Sequence, residues 1–163
     1  MKKAKYAFLV LISLLLAVNI TYAMSGVPAK VTAEATRLAN DFTNIAMAEF
    51  KTVSDSQLNY PAISAKVQEY SLNMAEILLE GGLDKDKAAM LMQKAAVLYG
   101  QALKALFNQE NFNLVIQGYS EKISALFSKE HLDIKVQSPI ISAASDNLES
   151  LNETFRAFQD IGQ

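Results

Sequence analysis

Residues 85–107 read KDKAAMLMQKAAVLYGQALKALF. Ala88, Leu91, Met92, Ala95, Leu98, Tyr99, Ala102, Leu103, Leu106 and Phe107 recur at helical spacing and cover well over half of the circumference such a helix would have. Only Gln93, Lys94, Gln101 and Lys104 interrupt them within the body of the segment. A helix apolar on most sides must be surrounded, so this one is expected at the centre of a bundle, running ~35 Å at 1.5 Å per residue. A membrane span is the competing reading, but two lysines and two glutamines would make insertion expensive. Ala96 and Gly100, four apart, would let a neighbouring backbone come close.

Outward from this segment the same periodicity continues. Before it, Asp84 is a natural N-cap, and Gly81-Gly82 would end a preceding helix through the left-handed conformation that glycine accepts. That helix is predicted to start at Asn59-Tyr60-Pro61 and to bury Ile63, Val67, Tyr70, Met74, Ile77 and Leu78. A first helix is expected after Ser25-Gly26-Val27-Pro28, with Val31, Ala35, Leu38, Phe42, Ile45, Glu49 and Val53 on one stripe, which Glu49 breaks, and Ala46 and Phe50 beside it. Its other face carries Lys30, Glu34, Arg37 and Asp41 at spacings that suit exposed ion pairs. Ser54-Asp55-Ser56-Gln57 reads as a turn.

After the central segment, Asn108-Gln109-Glu110-Asn111 is a polar break. A fourth helix follows on Phe112, Val115, Ile116, Tyr119, Ile123, Leu126 and Phe127, modestly weakened by Gly118. His131 to Gln137 alternates polar and apolar and is the one stretch expected to be extended. Ser138-Pro139 then restarts a helix whose stripe is Ile141, Ala144, Leu148, Leu151, Phe155 and Phe158. The fold predicted is all-α: an up-and-down bundle of four to five amphipathic helices with short connections. An α-solenoid is the alternative, but starts near 61, 84, 112 and 139 keep no fixed period.

The first 23 residues form a separate unit. Lys2, Lys3 and Lys5 precede an apolar run from Tyr6 to Val18, and Thr21 and Ala23 are small residues before a cut expected between Ala23 and Met24. These are the parts of a secretory signal peptide of bacterial type. A permanent anchor needs about 20 apolar residues, and this run is shorter. The expected organisation is a cleaved signal peptide over 1–23 and a helical domain over 24–163, with the product periplasmic or secreted. Uncleaved, the same segment would be its only tie to a membrane.

Charge and reactive side chains narrow the function. The chain holds 15 basic and 17 acidic residues, one His and no Cys. Without its first 23 residues it would keep 12 and 17, a net charge of −5. An acidic chain with no Lys/Arg cluster suits neither nucleic acid nor an anionic membrane surface. No Cys means no disulfide, thiolate metal site or thiol nucleophile. His131 has no helical metal partner at i+3 or i+4, and its place near a helix C-terminus is explained by the dipole. Asp146, Glu149 and Glu153 read as a solvated face opposite Leu148, Leu151 and Phe155. Asn152-Glu153-Thr154 matches the glycosylation pattern in mid-helix, where it is discounted. No nucleophile elbow, phosphate-cradling loop or H-E-x-x-H is present.

No catalytic, cofactor or metal residue is therefore assigned. The sequence is read as a non-enzymatic exported protein working through protein–protein contacts, as a subunit or accessory factor of an envelope or secretion assembly, or as a chaperone-like binder. The partner is unspecified, and a homo-oligomer is one option. Phe50, Tyr60, Phe112 and Phe158, near helix ends, are the candidate contact aromatics. The second reading is a periplasmic carrier holding a small apolar ligand in the interior, with Tyr70, Tyr99 and Tyr119 as its polar groups.

Overall fold

The computed structural model describes residues 29–52 and 58–161. The signal-peptide segment, the Ala23–Met24 cut, the Ser25–Pro28 start and the 54–57 turn lie outside the described residues. Those described form five helices and no strand: α1 (Ala29–Lys51), α2 (Tyr60–Glu80), α3 (Lys85–Phe107), α4 (Phe112–Lys129) and α5 (Ile134–Ile161). The protein is an all-α bundle.

Local chemistry sets the boundaries. The Asn59 carboxamide accepts from Ala62 N–H, Asp84 accepts from Asp86 and Lys87 N–H, and Asn111 accepts from Leu114 N–H, so three helix starts have side-chain caps. The ends share one device. Leu83 N–H reaches the Leu78 carbonyl and Gly82 N–H the Leu79 carbonyl. The same paired bonds recur at Glu110 to Ala105 with Gln109 to Leu106, and at Leu132 to Phe127 with His131 to Ser128. Each is a Schellman closure, which requires a left-handed residue just past the helix. Gly82 (φ 89°) adopts it freely, whereas Gln109 (φ 62°) and His131 (φ 58°) do so against a Cβ penalty. His131 thus closes α4 through its backbone, with its side chain exposed.

The extended piece expected over His131–Gln137 is not there. Leu132 is buried as the hydrophobic end of the α4 closure, and Asp133 starts α5, accepting from Lys135 N–H at 2.8 Å through its side chain and from Val136 and Gln137 N–H through its carbonyl. The apparent alternation arises because Leu132 belongs to one helix end and Val136 to the next helix. Ser138-Pro139 therefore does not begin α5; Pro139 lies inside it. Its ring removes the donor to the Lys135 carbonyl, at an exposed position on the helix.

Side-chain pairs give the topology. Phe42 packs on Tyr70 and Phe50 on Tyr60, so α1 and α2 run antiparallel. Tyr99 packs on Tyr119 and Lys87 reaches Glu130, so α3 and α4 do too. Lys66 with Asn147 and Gly81 with Val136 set α5 against α2 in the same sense. Phe42 also packs on Tyr99 and Phe50 on Phe107, so α1 and α3 run parallel and neighbours in sequence alternate in direction. The backbone of helix α3 comes close to those of all four others, which is true of no other described helix. Its central position follows from its composition: Ala88, Leu91, Met92, Ala95, Ala96, Tyr99, Gly100, Ala102, Leu103 and Leu106 are all buried.

The stripes foreseen on α1 and α2 are largely the buried ones. Ala35, Leu38, Phe42, Ala46 and Phe50 are buried on α1, and Ile63, Val67, Tyr70, Met74 and Leu78 on α2; Ile77 is half-buried. Arg37 pairs with Glu34 at 2.6 Å and Asp41 at 3.0 Å on the exposed side of α1. Its guanidinium, chiefly through that hydrogen bond, holds the Glu34 carboxyl below the usual range. No described helix is long and apolar enough to cross a membrane.

Candidate contact surface

Three tyrosines form a concentration of polar chemistry in the described interior. Tyr70, Tyr99 and Tyr119 meet at the junction of α2, α3 and α4, all at most 4% exposed. Tyr70 and Tyr99 stack with ring centroids 4.9 Å apart, and Tyr119 stands edge-on to Tyr99. The Tyr70 and Tyr119 hydroxyls lie 2.8 Å apart and share a hydrogen bond. Tyr99 donates to Asn147 Oδ1, and Asn147 Nδ2 donates to the Lys66 carbonyl at 2.8 Å. Burial, by excluding water from a phenolate, pushes all three phenols above their ordinary value. A neutral phenol with its hydrogen bond satisfied is neither base nor nucleophile near pH 7. The cluster is structural: it joins four helices through one network.

The end of the bundle is closed by a second aromatic group. Phe50 is fully buried, stacked on Phe155 at 5.4 Å and edge-on to Phe107 at 5.7 Å. Of the four candidate contact aromatics, Phe50 is thus withdrawn into the core. Tyr60, Phe112 and Phe158 are half-buried and pack against that core. Asp146, Glu149 and Glu153 are exposed along α5. Asn152 between them is nine-tenths buried. Among the described residues no group of three or more His, Asp and Glu is placed to hold a metal ion.

Helices α1 and α4 flank α3 without touching each other, and the strip of α3 between them is not covered by any described helix. On one side lies a groove against α1, lined by Asp41, Ile45, Ala89, Met90 and Gln93. On the other lies a groove of about 200 Å³ between α3 and α4, lined by Leu98, Ala105, Glu110, Leu114, Gly118 and Lys122. Leu114 is 68% exposed, the most exposed large apolar side chain of those described. Gly118, one turn on, has open space where a Cβ would stand.

Sequence reasoning passed over both residues. Leu114 falls on the side of α4 away from its apolar stripe, and that misplacement was the available signal: a leucine among Asn113, Gln117 and Glu121 has no core to join. Gly118 was read only as a weak point of the helix. The chain is defined by its fold as an all-α bundle with a groove of mixed apolar and charged lining open on one face. Set beside known proteins, it matches no family model, no curated protein and no solved structure.

Proposed function

We propose that the protein is exported, is not an enzyme, and works by protein–protein contact through its helix surface, as a subunit or accessory factor of an envelope or secretion assembly or as a chaperone-like binder. The observation that carries this reading is Leu114. An apolar side chain held in water beside a groove gains by meeting a partner, by about 25 cal/mol for each Å² covered. The export half rests on Lys2, Lys3 and Lys5, the apolar run to Val18 and the small residues Thr21 and Ala23. Tyr70 bonds to Tyr119 and Tyr99 to Asn147, so each hydroxyl on which an interior-carrier reading depends already has a protein partner.

Fractionation followed by N-terminal sequencing tests the proposal. The expected result is a chain beginning at Met24 outside the cytosol, which gentle extraction recovers in a particle larger than its own mass. A full-length chain confined to the cytosol, or turnover of a substrate by the purified protein, would overturn it.

A further inference from the structure

The α3/α4 groove is complementary to itself. Glu110, Leu114, Gly118 and Lys122 follow one another at steps of four, from the turn before α4 through its first three turns. All four line the groove. A row of this spacing is the ridge that helices use when they pack at about −50°. Turned end for end about a point beside Ile116, the row maps onto itself: Glu110 falls opposite Lys122, and Leu114 opposite Gly118. One end is acidic and the other basic, and neither charge is in an ion pair with a described residue. In the middle, the most exposed of the described leucines faces the one position on α4 where a side chain is missing and no described residue fills the space.

We propose that the occupant of this groove is a second copy of the chain, docked as a two-fold antiparallel pair along α4. Leu114 of each copy inserts over Gly118 of the other, with Leu98 and Ala105 as the groove wall, and Glu110 meets Lys122 at both ends. A two-fold interface needs this property, since one patch must serve as both knob and hole. The row spans ~18 Å of helix, so the surface covered is below the ~800 Å² per partner of a standard stable interface. The dimer is therefore concentration-dependent, forming at micromolar levels or above. The inference deepens the contact reading and rests on it by naming the partner.

Sedimentation equilibrium on the folded domain, up to about 1 mM, reads the outcome through charge reversal. Glu110→Lys places lysines opposite lysines at both ends, and Lys122→Glu places glutamates opposite glutamates. Each variant alone is expected to weaken dimerisation about ten-fold or more, by exchanging two attractions for two repulsions. Mixing the two gives opposite charges at both ends, so the mixture is expected to form a heterodimer at least as tight as wild type. The double variant is expected to recover the homodimer. These sites are exposed, so circular dichroism should show every variant folded.

A wild-type chain that stays monomeric, single variants that dimerise as wild type does, or a mixture that fails to pair would each overturn the proposal. A monomer that nevertheless binds a different envelope protein through Leu114 would overturn self-pairing alone and leave the contact reading standing.

Discussion

Above about pH 10 the protein is expected to lose about 4 kcal/mol of stability for every further pH unit and to unfold cooperatively before its core phenols ionise in place. The cause is the Tyr70–Tyr99–Tyr119 cluster. Burial disfavours the phenolate at all three sites, and repulsion from a neighbouring phenolate adds to it at Tyr99 and Tyr119. At Tyr70 the hydrogen bond with Tyr119 works in the opposite direction and is outweighed by burial. The sign follows from the proton count. In the unfolded chain a tyrosine releases its proton near pH 10, whereas in the folded state these three retain theirs. The unfolded state thus binds fewer protons above pH 10, and stability falls as pH rises. The stability is fully present below pH 10 and disappears on the way up to the folded-state values. Each tyrosine contributes about 1.4 kcal/mol per pH unit, against the 5–15 kcal/mol that holds a typical domain together. Urea unfolding at stepped pH, read beside tyrosinate absorbance, checks this. Replacing Tyr70 and Tyr119 together by Phe removes both ends of their hydrogen bond and should reduce the slope by about two thirds. Phenols that titrate near pH 10 while the helix signal persists would mean the cluster is open to water.

The same Gly→Ala substitution is expected to act with opposite signs at two positions. At Gly100 a Cβ would stand 2.5 Å from Glu49 Cβ and 2.8 Å from the Ala46 carbonyl oxygen. Both atoms belong to the body of α1, so neither can rotate out of the way, and the two helices must separate along their whole contact. The loss is expected to be about 1–3 kcal/mol, with Gly100→Val worse, because overpacking outweighs the better helix propensity. The ion pair between Lys104 and Glu49, 3.4 Å apart one turn on, would be strained by the same movement. At Gly118 nothing lies within 4 Å. There Ala brings only its helix propensity, a gain of about 0.5–1 kcal/mol in dilute solution. Denaturant titration of both variants decides. Equal effects at the two sites would contradict the close approach of α1 and α3 at Gly100.

These two glycines show what the sequence could and could not convey. Ala96 and Gly100 stood out as a place for close approach because small residues four apart on an apolar helix have few other uses. Nothing local told Gly118 from Gly100, since the difference lies in whether another helix is overhead. The helix starts at Asn59 and Asp84 were legible because a cap is chemistry between near neighbours. The start of α5 was hidden for the opposite reason: His131, which closes α4 just before it, takes a left-handed conformation that sequence rules reserve for Gly or Asn. Tyr99 with Asn147 and Asn147 with Lys66 join residues 48 and 81 apart, and periodicity carries no information at that range. Phe50 sat beside the stripe on paper but lies under Phe155 and Phe107 in the fold. The charged face of α5 was read from its spacing alone, and its exposed acids Asp146, Glu149 and Glu153 bear that out.

The central claim is that the face around Leu114 meets another protein outside the cytosol. A photo-activated cross-linking residue placed at Leu114 in living cells, beside the same residue at exposed Ala65 on α2, tests it most directly. The account expects a discrete cross-linked protein band from position 114 in the exported fraction, and none from position 65. Position 114 giving no more product than position 65 would contradict it.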